Sequence, residues 1–397
     1  MLPEKTQVLI VGAGIVGLTV ARELVACNYR DILILEKEPA PGRHASGRNS
    51  GVLHAGIYYS PDTLKARMCL RGNRLMRAYC RDKGLPILNG GKVIVTRSEA
   101  EIAALEALYR RARANGARVE IVDAARLRTI EPAARTVEVA LYSHDTAQVA
   151  PKAVLDRMAA DLTSSGRVRI VSNCAFRSLA GSTVALTTGG RVGFDRLVNA
   201  AGAHCDHVAN AFGLARNYRL IPFKGIYRKL KRNAPVAVRG NIYPVPDIRN
   251  PFLGVHFTRS VQGGVYIGPT AIPALGRENY GILKGIDREG WSILLRDGVL
   301  FAANPKFRRV ALNEPRKYVF PFFFRDACRL VRGLEPSHVE ASAKVGIRAQ
   351  LVDWDTKEMV MDFLVQADDR AVHILNPVSP AFTCSMELAR RVVADHF

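Results

Sequence analysis

Apolar and polar positions along the chain fall into strand and helix periods in a definite order. Residues 7–11 are an apolar, β-branched run, the pattern of a buried strand. A glycine turn follows, and over residues 15–26 the apolar positions return at helical spacing. Residues 31–35 read as a second strand ending at Glu36, so the first segment is a β-α-β unit of about thirty residues. Further on, the spacing predicts helices over 61–83, 99–115 and 150–164, the last opened by a proline in its first turn, and a strand over 93–96. Residues 167–198 alternate strands and turns and close on Leu197-Val198-Asn199-Ala200, then Ala201-Gly202. Over 218–324, strand-like runs such as 264–267 and frequent Pro and Gly predict a mostly antiparallel sheet, with helix near 280–301. Residues 373–397 read as strand, proline-rich turn and terminal helix.

This order predicts an α/β fold in which a Rossmann-like domain is interleaved with an antiparallel-sheet domain. The dinucleotide-binding domain is assigned to 1–84, 146–214 and 331–397, and the substrate domain to 85–145 and 215–330. A chain of 397 residues, 48% hydrophobic and 23% charged, has the length and apolar content for two such cores and is not disordered in composition. No window supplies the roughly 18 uninterrupted apolar residues of a spanning helix. Seven cysteines, an odd number with no Cys-x-x-Cys pair, argue against a disulfide framework and favour a reducing, cytoplasmic setting. No metal site is expected, because His204 and His207 have no acidic or cysteine partners at ligand spacing.

The glycine turn carries the first chemistry. Gly12-Ala13-Gly14-Ile15-Val16-Gly17 matches Gly-x-Gly-x-x-Gly between a strand and a helix, with Glu36 nineteen residues past Gly17. Gly12 allows the tight turn, Gly14 admits a diphosphate close to the backbone, and Gly17 lets helix and strand approach. The helix start offers N–H groups to the diphosphate, and Glu36 accepts from a ribose hydroxyl and disfavours a 2′-phosphate. The motif's place at the start of the chain and the later Asn199-Ala200-Ala201-Gly202 strand end favour FAD over NAD.

The polar stretch 42–59 is too long for a simple turn and too polar for core. Its run Ser46-Gly47-Arg48-Asn49-Ser50-Gly51-Val52-Leu53-His54-Ala55-Gly56-Ile57-Tyr58-Tyr59 resembles the flavin-contacting loop of the L-2-hydroxyglutarate dehydrogenases and oxidases, within the D-amino-acid-oxidase-like flavoproteins. Phe223-Lys224-Gly225, Gly254-Val255-His256-Phe257-Thr258, Gly268-Pro269-Thr270-Ala271, Gly346-Ile347-Arg348-Ala349-Gln350 and Asn376-Pro377-Val378-Ser379-Pro380-Ala381-Phe382-Thr383 resemble further motifs of that family, in the family's order. Departures are Ile226-Tyr227-Arg228 after the Lys-Gly step, Gly263-Gly264 at a usual Asp-Gly turn, and Pro377-Val378 for Ala-Pro.

The resemblance implies FAD as cofactor and a small anionic 2-hydroxy acid as substrate, L-2-hydroxyglutarate giving 2-oxoglutarate. Oxidising an alcohol at a flavin calls for a base, and His54 is the candidate, since imidazole titrates near neutrality. A loop histidine making only a structural hydrogen bond is the competing reading. Arg348 is the candidate for the α-carboxylate, with its two-pronged guanidinium. His256, Thr258, Lys224 and Tyr58 are candidates for the rest of the substrate. Cofactor contacts are expected from Gly12, Ala13, Gly14, Ile15, Val16, Gly17, Glu36 and Lys37, from Ser46, Arg48, Asn49, Ser50, Gly51 and Val52, from Ala201 and Gly202, and from Ser379, Pro380, Ala381, Phe382 and Thr383 at the start of the last helix.

The net charge of +21 is high for an enzyme and points to an anionic substrate, an acidic membrane surface or nucleic acid. Tyr227-Arg228-Lys229-Leu230-Lys231-Arg232 and Phe320-Pro321-Phe322-Phe323-Phe324-Arg325 together suggest peripheral contact with an inner membrane, so the electron acceptor is either oxygen or a membrane quinone. No nucleic-acid-binding motif appears, and the basic residues are dispersed. The competing functions are a glycerol-3-phosphate or amino-acid oxidase on the same scaffold and, in another class, an RNA-binding flavoprotein.

Overall fold

Strand Lys5–Val11 lies inside a parallel sheet, and this explains its unbroken apolar run. It pairs in parallel with Ile32–Leu35 on one side and Gly190–Asn199 on the other. Val168–Val171 and Ala371–Ile374 extend the sheet, also in parallel, and an antiparallel hairpin of Phe176–Leu179 and Val184–Thr187 joins the first half of Gly190–Asn199. Both faces are covered, so Val8, Leu9, Ile10 and all of Ile32–Leu35 are buried rather than alternating. Helix Ile15–Ala26 packs on the terminal helix Ala381–His396, and Thr19 Oγ1 donates to the Ser385 carbonyl at 3.1 Å.

A computed structural model describes residues 2–247 and 252–397 of the chain. It contains two units. The first is Met1–Asn49, Pro151–Pro222 and Arg348–Phe397, and holds the parallel sheet. The second is Ser50–Ala150 and Phe223–Ile347. These bounds differ from the sequence assignment, which put 50–84, 146–150 and 331–347 with the dinucleotide fold and 215–222 with the substrate domain. Hydrogen bonding explains the three segments that fall in the second unit. Val52–Leu53 pairs with Ala147–Val149, which also pairs with Ile87–Leu88, so the loop after Asn49 closes a three-stranded sheet of the second unit. Val331 bridges Ala134, and Arg332 N–H donates to Ala133 O, in that same unit.

The second unit contributes most of a nine-stranded, largely antiparallel sheet. Lys92–Val95, Asn241–Pro244, His256–Arg259 and Val265–Gly268 lie side by side in it, the first pair parallel and the others antiparallel. Helix Leu64–Asp82 starts three residues later than the spacing predicts, because Thr63 caps it by accepting from the Ala66 N–H at 3.2 Å. The helix expected near 280–301 runs Glu289–Ala303, and a further helix, Pro305–Asn313, follows with Asn304 as its cap. The phenylalanine run is helical, Phe320–Cys328, with Phe323 fully buried. Arg228 of the basic cluster stacks its guanidinium over Phe320 and Phe323, at 4.6 and 5.5 Å, while Tyr227 is buried. Arg228 thus ties the two segments together, while Lys231, Arg232, Phe322 and Arg325 stay exposed. Among the described residues no helix is long and apolar enough to cross a membrane.

Candidate active site

The first unit builds a nucleotide cradle. Gly12 has φ +108°, a region that side chains disfavour, and a Cβ there would sit 2.5 Å from Ala200 O. A Cβ on Gly17 would lie 2.0 Å from Gly12 O, so helix and turn touch backbone to backbone. Gly14 is the N-cap of helix Ile15–Ala26 and brings no side chain to its first-turn N–H groups. Ser46 Oγ takes one of them, accepting from Ile15 N–H at 3.0 Å.

Glu36, buried at the end of its strand, accepts from the Ala13 and Glu38 N–H groups, both at 3.0 Å. A carboxylate has about four acceptor positions, so capacity remains for ribose hydroxyls. Lys37 donates to Glu38 at 2.6 Å and contacts His44 at 2.8 Å; these two partners hold the Glu38 carboxyl below its usual range, the Lys37 bond first. Arg48 Nε donates to Arg43 O, and Asn49 Nδ2 to Ser46 O and Ala45 O, which fixes the loop's own backbone. At the neighbouring strand end, Ala201 N–H donates to Asn199 Oδ1, and Gly202 turns with φ +57°. Ser379 to Thr383 lead into the sixteen-residue helix Ala381–His396. Arg348 Nε donates to Gln350 Oε1 at 3.2 Å. A side-chain-free turn at a helix start, an acid at the next strand end and room only for backbone fit the diphosphate and ribose of FAD.

The second unit gathers a polar cluster by strand alternation. Asn241 pairs with Thr258 and Ile242 with Phe257, so Tyr243 falls beside His256 on one face. Their rings stack, with centroids 3.7 Å apart and planes at 20°. On the adjoining strand Ile242 pairs with Val93, which sets Lys92 on that face too. Lys92 is 1% exposed, and its ammonium lies 4.3 Å from the Tyr243 ring centre, 5.0 Å from that of Tyr58 and 3.5 Å from the Tyr58 hydroxyl. Among the described residues no carboxylate pairs with it. His54 and Tyr58, also buried, come from the loop after Val52–Leu53. Asn73 pins that loop, donating to the carbonyls of His54, Leu53 and Asp145 at 3.0 to 3.1 Å.

Burial and mutual repulsion set the protonation here. Desolvation, then Lys92, then His256 push His54 well below the usual histidine value. Burial first, opposed by a hydrogen bond to Gly254 and aided by Lys92, brings His256 down to about 3. Its Nδ1 is 2.8 Å from Gly254 O, so Nδ1 carries the proton and Nε2 is the acceptor. Burial lowers Lys92 to about 7, and Tyr58 is raised above its ordinary value, again mainly by burial.

Of the sequence candidates, His54, Tyr58, His256 and Thr258 fall in this cluster or on its strands. Lys224 does not: its ammonium donates to Gly281 O at 2.6 Å and lies 5.9 Å from the Tyr318 ring centre. Sequence reasoning missed Lys92, Tyr243 and Gln148. Lys92 was visible as a lysine opening the apolar run Val93-Ile94-Val95 after Gly90-Gly91. Gln148 pairs with Val52 and is fully buried, and neither of its amide atoms has a hydrogen-bond partner among the described residues, so it is ready for a polar ligand.

A dinucleotide cradle in one unit and a buried imidazole–ammonium cluster in the other define the class: a nucleotide-dependent redox enzyme, here an FAD-dependent oxidoreductase. The chain belongs to the FAD dependent oxidoreductase (DAO) family, whose model matches residues 7–395. Similar proteins include the mitochondrial L-2-hydroxyglutarate dehydrogenase of Bos taurus, 33% identical over 98% of this chain and 88% of its own. The L-2-hydroxyglutarate dehydrogenase of Escherichia coli K12 is also 33% identical, over 97% and 92%. Among solved structures, the FAD-bound L-alpha-glycerophosphate oxidase of Mycoplasma pneumoniae superposes with TM-score 0.77 at 21% identity, covering 98% of this chain and 94% of that one. Glycine oxidase of Geobacillus kaustophilus gives 0.72 at 19% identity, covering 99% and 94%. The α/β fold expected from the sequence is the fold these neighbours share.

Proposed function

We propose that the enzyme oxidises the alcohol carbon of a small dianionic 2-hydroxy acid, L-2-hydroxyglutarate, to 2-oxoglutarate. The observation that carries this reading is Lys92, a buried ammonium without a counter-charge beside a neutral histidine. An unpaired buried cation is costly, and a carboxylate entering the cluster removes that cost. The curated relatives named for this substrate support the same reading.

When bound, FAD supplies the acceptor for the hydride that leaves the substrate carbon, at flavin N5. Gly12 to Gly17 with Glu36 hold its diphosphate and ribose, with Lys37, Ser46, Arg48, Asn49, Ala201 and Gly202 shaping the cradle. Ser50, Gly51, Val52 and Ser379 to Thr383 serve the ring end, the last through a helix N-terminus that favours negative charge. The imidazole of His54 takes the hydroxyl proton. Its neutral state in the free protein suits that role, and the negative charge of the arriving substrate raises its basicity toward the working range. Arg348 takes one carboxylate by its paired N–H groups. Lys92 takes a carboxylate, with His256 Nε2, Thr258 and Tyr58 completing the polar lining, and Lys224, bound to Gly281 O, lies outside that lining.

Anaerobic mixing of the holoprotein with L-2-hydroxyglutarate, glycerol 3-phosphate and a set of amino acids tests the reading through flavin bleaching. Rapid bleaching by the first alone is expected, and His54→Ala should lose about 10² to 10⁴ of that rate while keeping its flavin spectrum. Bleaching by glycerol 3-phosphate or an amino acid in preference would overturn the substrate. Native-speed reduction of the variant would overturn the base.

A further inference from the structure

Strand register carries the polar cluster further across the sheet than His256. Thr258 pairs with Asn241 on one side and with Tyr266 on the other, and His256 pairs with Gly268. On the next strand Lys229 pairs with Tyr266, so Tyr227 also falls on the face of His256 and Tyr243. The opposite face holds Val93, Ile242, Phe257 and Ile267, part of an apolar core. Burial pushes the Tyr243 hydroxyl up, and Tyr227 adds to that push, as expected of neighbours on one face.

Lys344, on strand Val339–Asp353, lays its ammonium over this end of the face, 4.5 Å from the Tyr266 ring centre and 5.1 Å from that of Tyr227. Among the described residues no carboxylate pairs with it; Glu340, on the same strand, faces Lys229 at 3.8 Å. Burial lowers Lys344 to about 8. The face therefore has two ammonium groups, each on a pair of tyrosine rings and neither with a counter-charge: Lys92 over Tyr58 and Tyr243, Lys344 over Tyr227 and Tyr266. Between them Thr258 Oγ1 and Asn241 Oδ1 are buried without a hydrogen-bond partner among the described residues. Tyr243 is two strands from Tyr266 and three from Tyr227, which sets the ammonium groups roughly 10–14 Å apart. An extended five-carbon diacid has its outer oxygens about 7 Å apart, and a charge-assisted bond of about 2.8 Å at each end bridges that span. A monocarboxylate would satisfy one ammonium and leave the other uncompensated. We propose that Lys344, held by Tyr227 and Tyr266, receives the second carboxylate of the substrate and makes the enzyme select a dicarboxylate over a monocarboxylate. Lys92 holds the opposite end, and Arg348, from the same strand as Lys344, serves the Lys344 end. This assignment rests on the substrate reading given above.

The test titrates holoprotein with glutarate and with pentanoate, five-carbon acids that lack the reacting hydroxyl, and follows the flavin spectrum. Native protein should bind glutarate at least about tenfold more tightly than pentanoate. Lys344→Met should weaken glutarate by about 10- to 100-fold and leave pentanoate within about twofold, while Lys344→Arg restores most of the preference. The Met variant should also raise KM for L-2-hydroxyglutarate by a similar factor, with flavin reduction at saturating substrate within about threefold of native. Its melting temperature and flavin spectrum report on the fold. Native protein with no preference for glutarate, or a Met variant with native glutarate affinity, overturns the proposal. So does a Met variant that loses glutarate and pentanoate equally, since Lys344 would then serve the fold. Failure of the substrate reading looks different: L-2-hydroxyglutarate leaves the native flavin oxidised, while the glutarate preference and its loss in Lys344→Met persist.

Discussion

Lys92 carries an electrostatic cost in the free protein that its tyrosine neighbours only partly offset. Ring faces attract the ammonium at 4.3 and 5.0 Å, a contribution of about 1–2 kcal/mol for desolvated pairs. Burial nonetheless lowers its pKa from 10.5 to about 7. The unfolded chain therefore binds more protons between those values, and stability rises as pH goes from about 7 to 10.5. Lys92→Met keeps the volume and removes the charge. It should stabilise the ligand-free protein by on the order of 1–4 kcal/mol near pH 7, and flatten the rise in melting temperature between pH 7 and pH 10. The same variant should raise KM for L-2-hydroxyglutarate about 10- to 100-fold, the value of a lost charged hydrogen bond. A less stable Met variant, or one with native KM, would show that the ammonium serves the fold and not a carboxylate. Gln148 offers a second residue-scale check. Gln148→Leu removes a buried amide with no hydrogen-bond partner among the described residues, so it should leave thermal stability within about 1 kcal/mol but weaken retention of FAD or of substrate, measured by flavin release and by spectral titration.

At the scale of elements, the cradle depends on contacts with no slack. A methyl group on Gly17 would meet Gly12 O at 2.0 Å, and one on Gly14 would meet Ser46 Oγ at 3.0 Å. Gly17→Ala must push the helix off the turn and should cost several kcal/mol of stability, as backbone clashes in a core do. Gly14→Ala meets the movable end of a side chain and should fold, but purify with much less FAD, read from the ratio of flavin to protein absorbance. Equal FAD content in Gly14→Ala and native protein would sink the diphosphate assignment. This part of the molecule was legible in the sequence because a turn, a helix start and an acid at a strand end leave local signatures. The second unit was less so. Lys92 lies on a strand far in sequence from those of Tyr243 and His256, and only the register Ile242 with Val93 and Phe257 aligns the three. Residues 50–84 were placed with the wrong neighbours because Val52–Leu53 is two residues long, too short for period to show that it pairs with Ala147–Val149. The Lys224 side chain was expected near substrate from its motif alone, and the motif does not reveal that Gly281 O takes one of its donors.

At the scale of the whole molecule, 57 basic residues against 36 acidic give the chain a field that acts before any contact forms. Surface ion pairs do not lower this excess, since each, as Lys5 with Asp195, takes one charge of either sign and leaves +21 in place. A dianion approaching through that potential is concentrated near the protein, and salt shortens the reach of the attraction to about 8 Å at physiological strength and 3 Å at 1 M. Steering affects encounter and not the bound complex. For a dianionic 2-hydroxy acid, kcat/KM for flavin reduction should fall about tenfold or more between low salt and 0.5 M salt, while the reduction rate at saturating substrate stays constant. An uncharged ester of the same acid should show no such slope. If the saturating rate falls in step with kcat/KM, salt is acting on the bound complex and not on encounter, and the excess charge has no part in substrate capture. If neither changes, the excess charge plays no part in substrate capture.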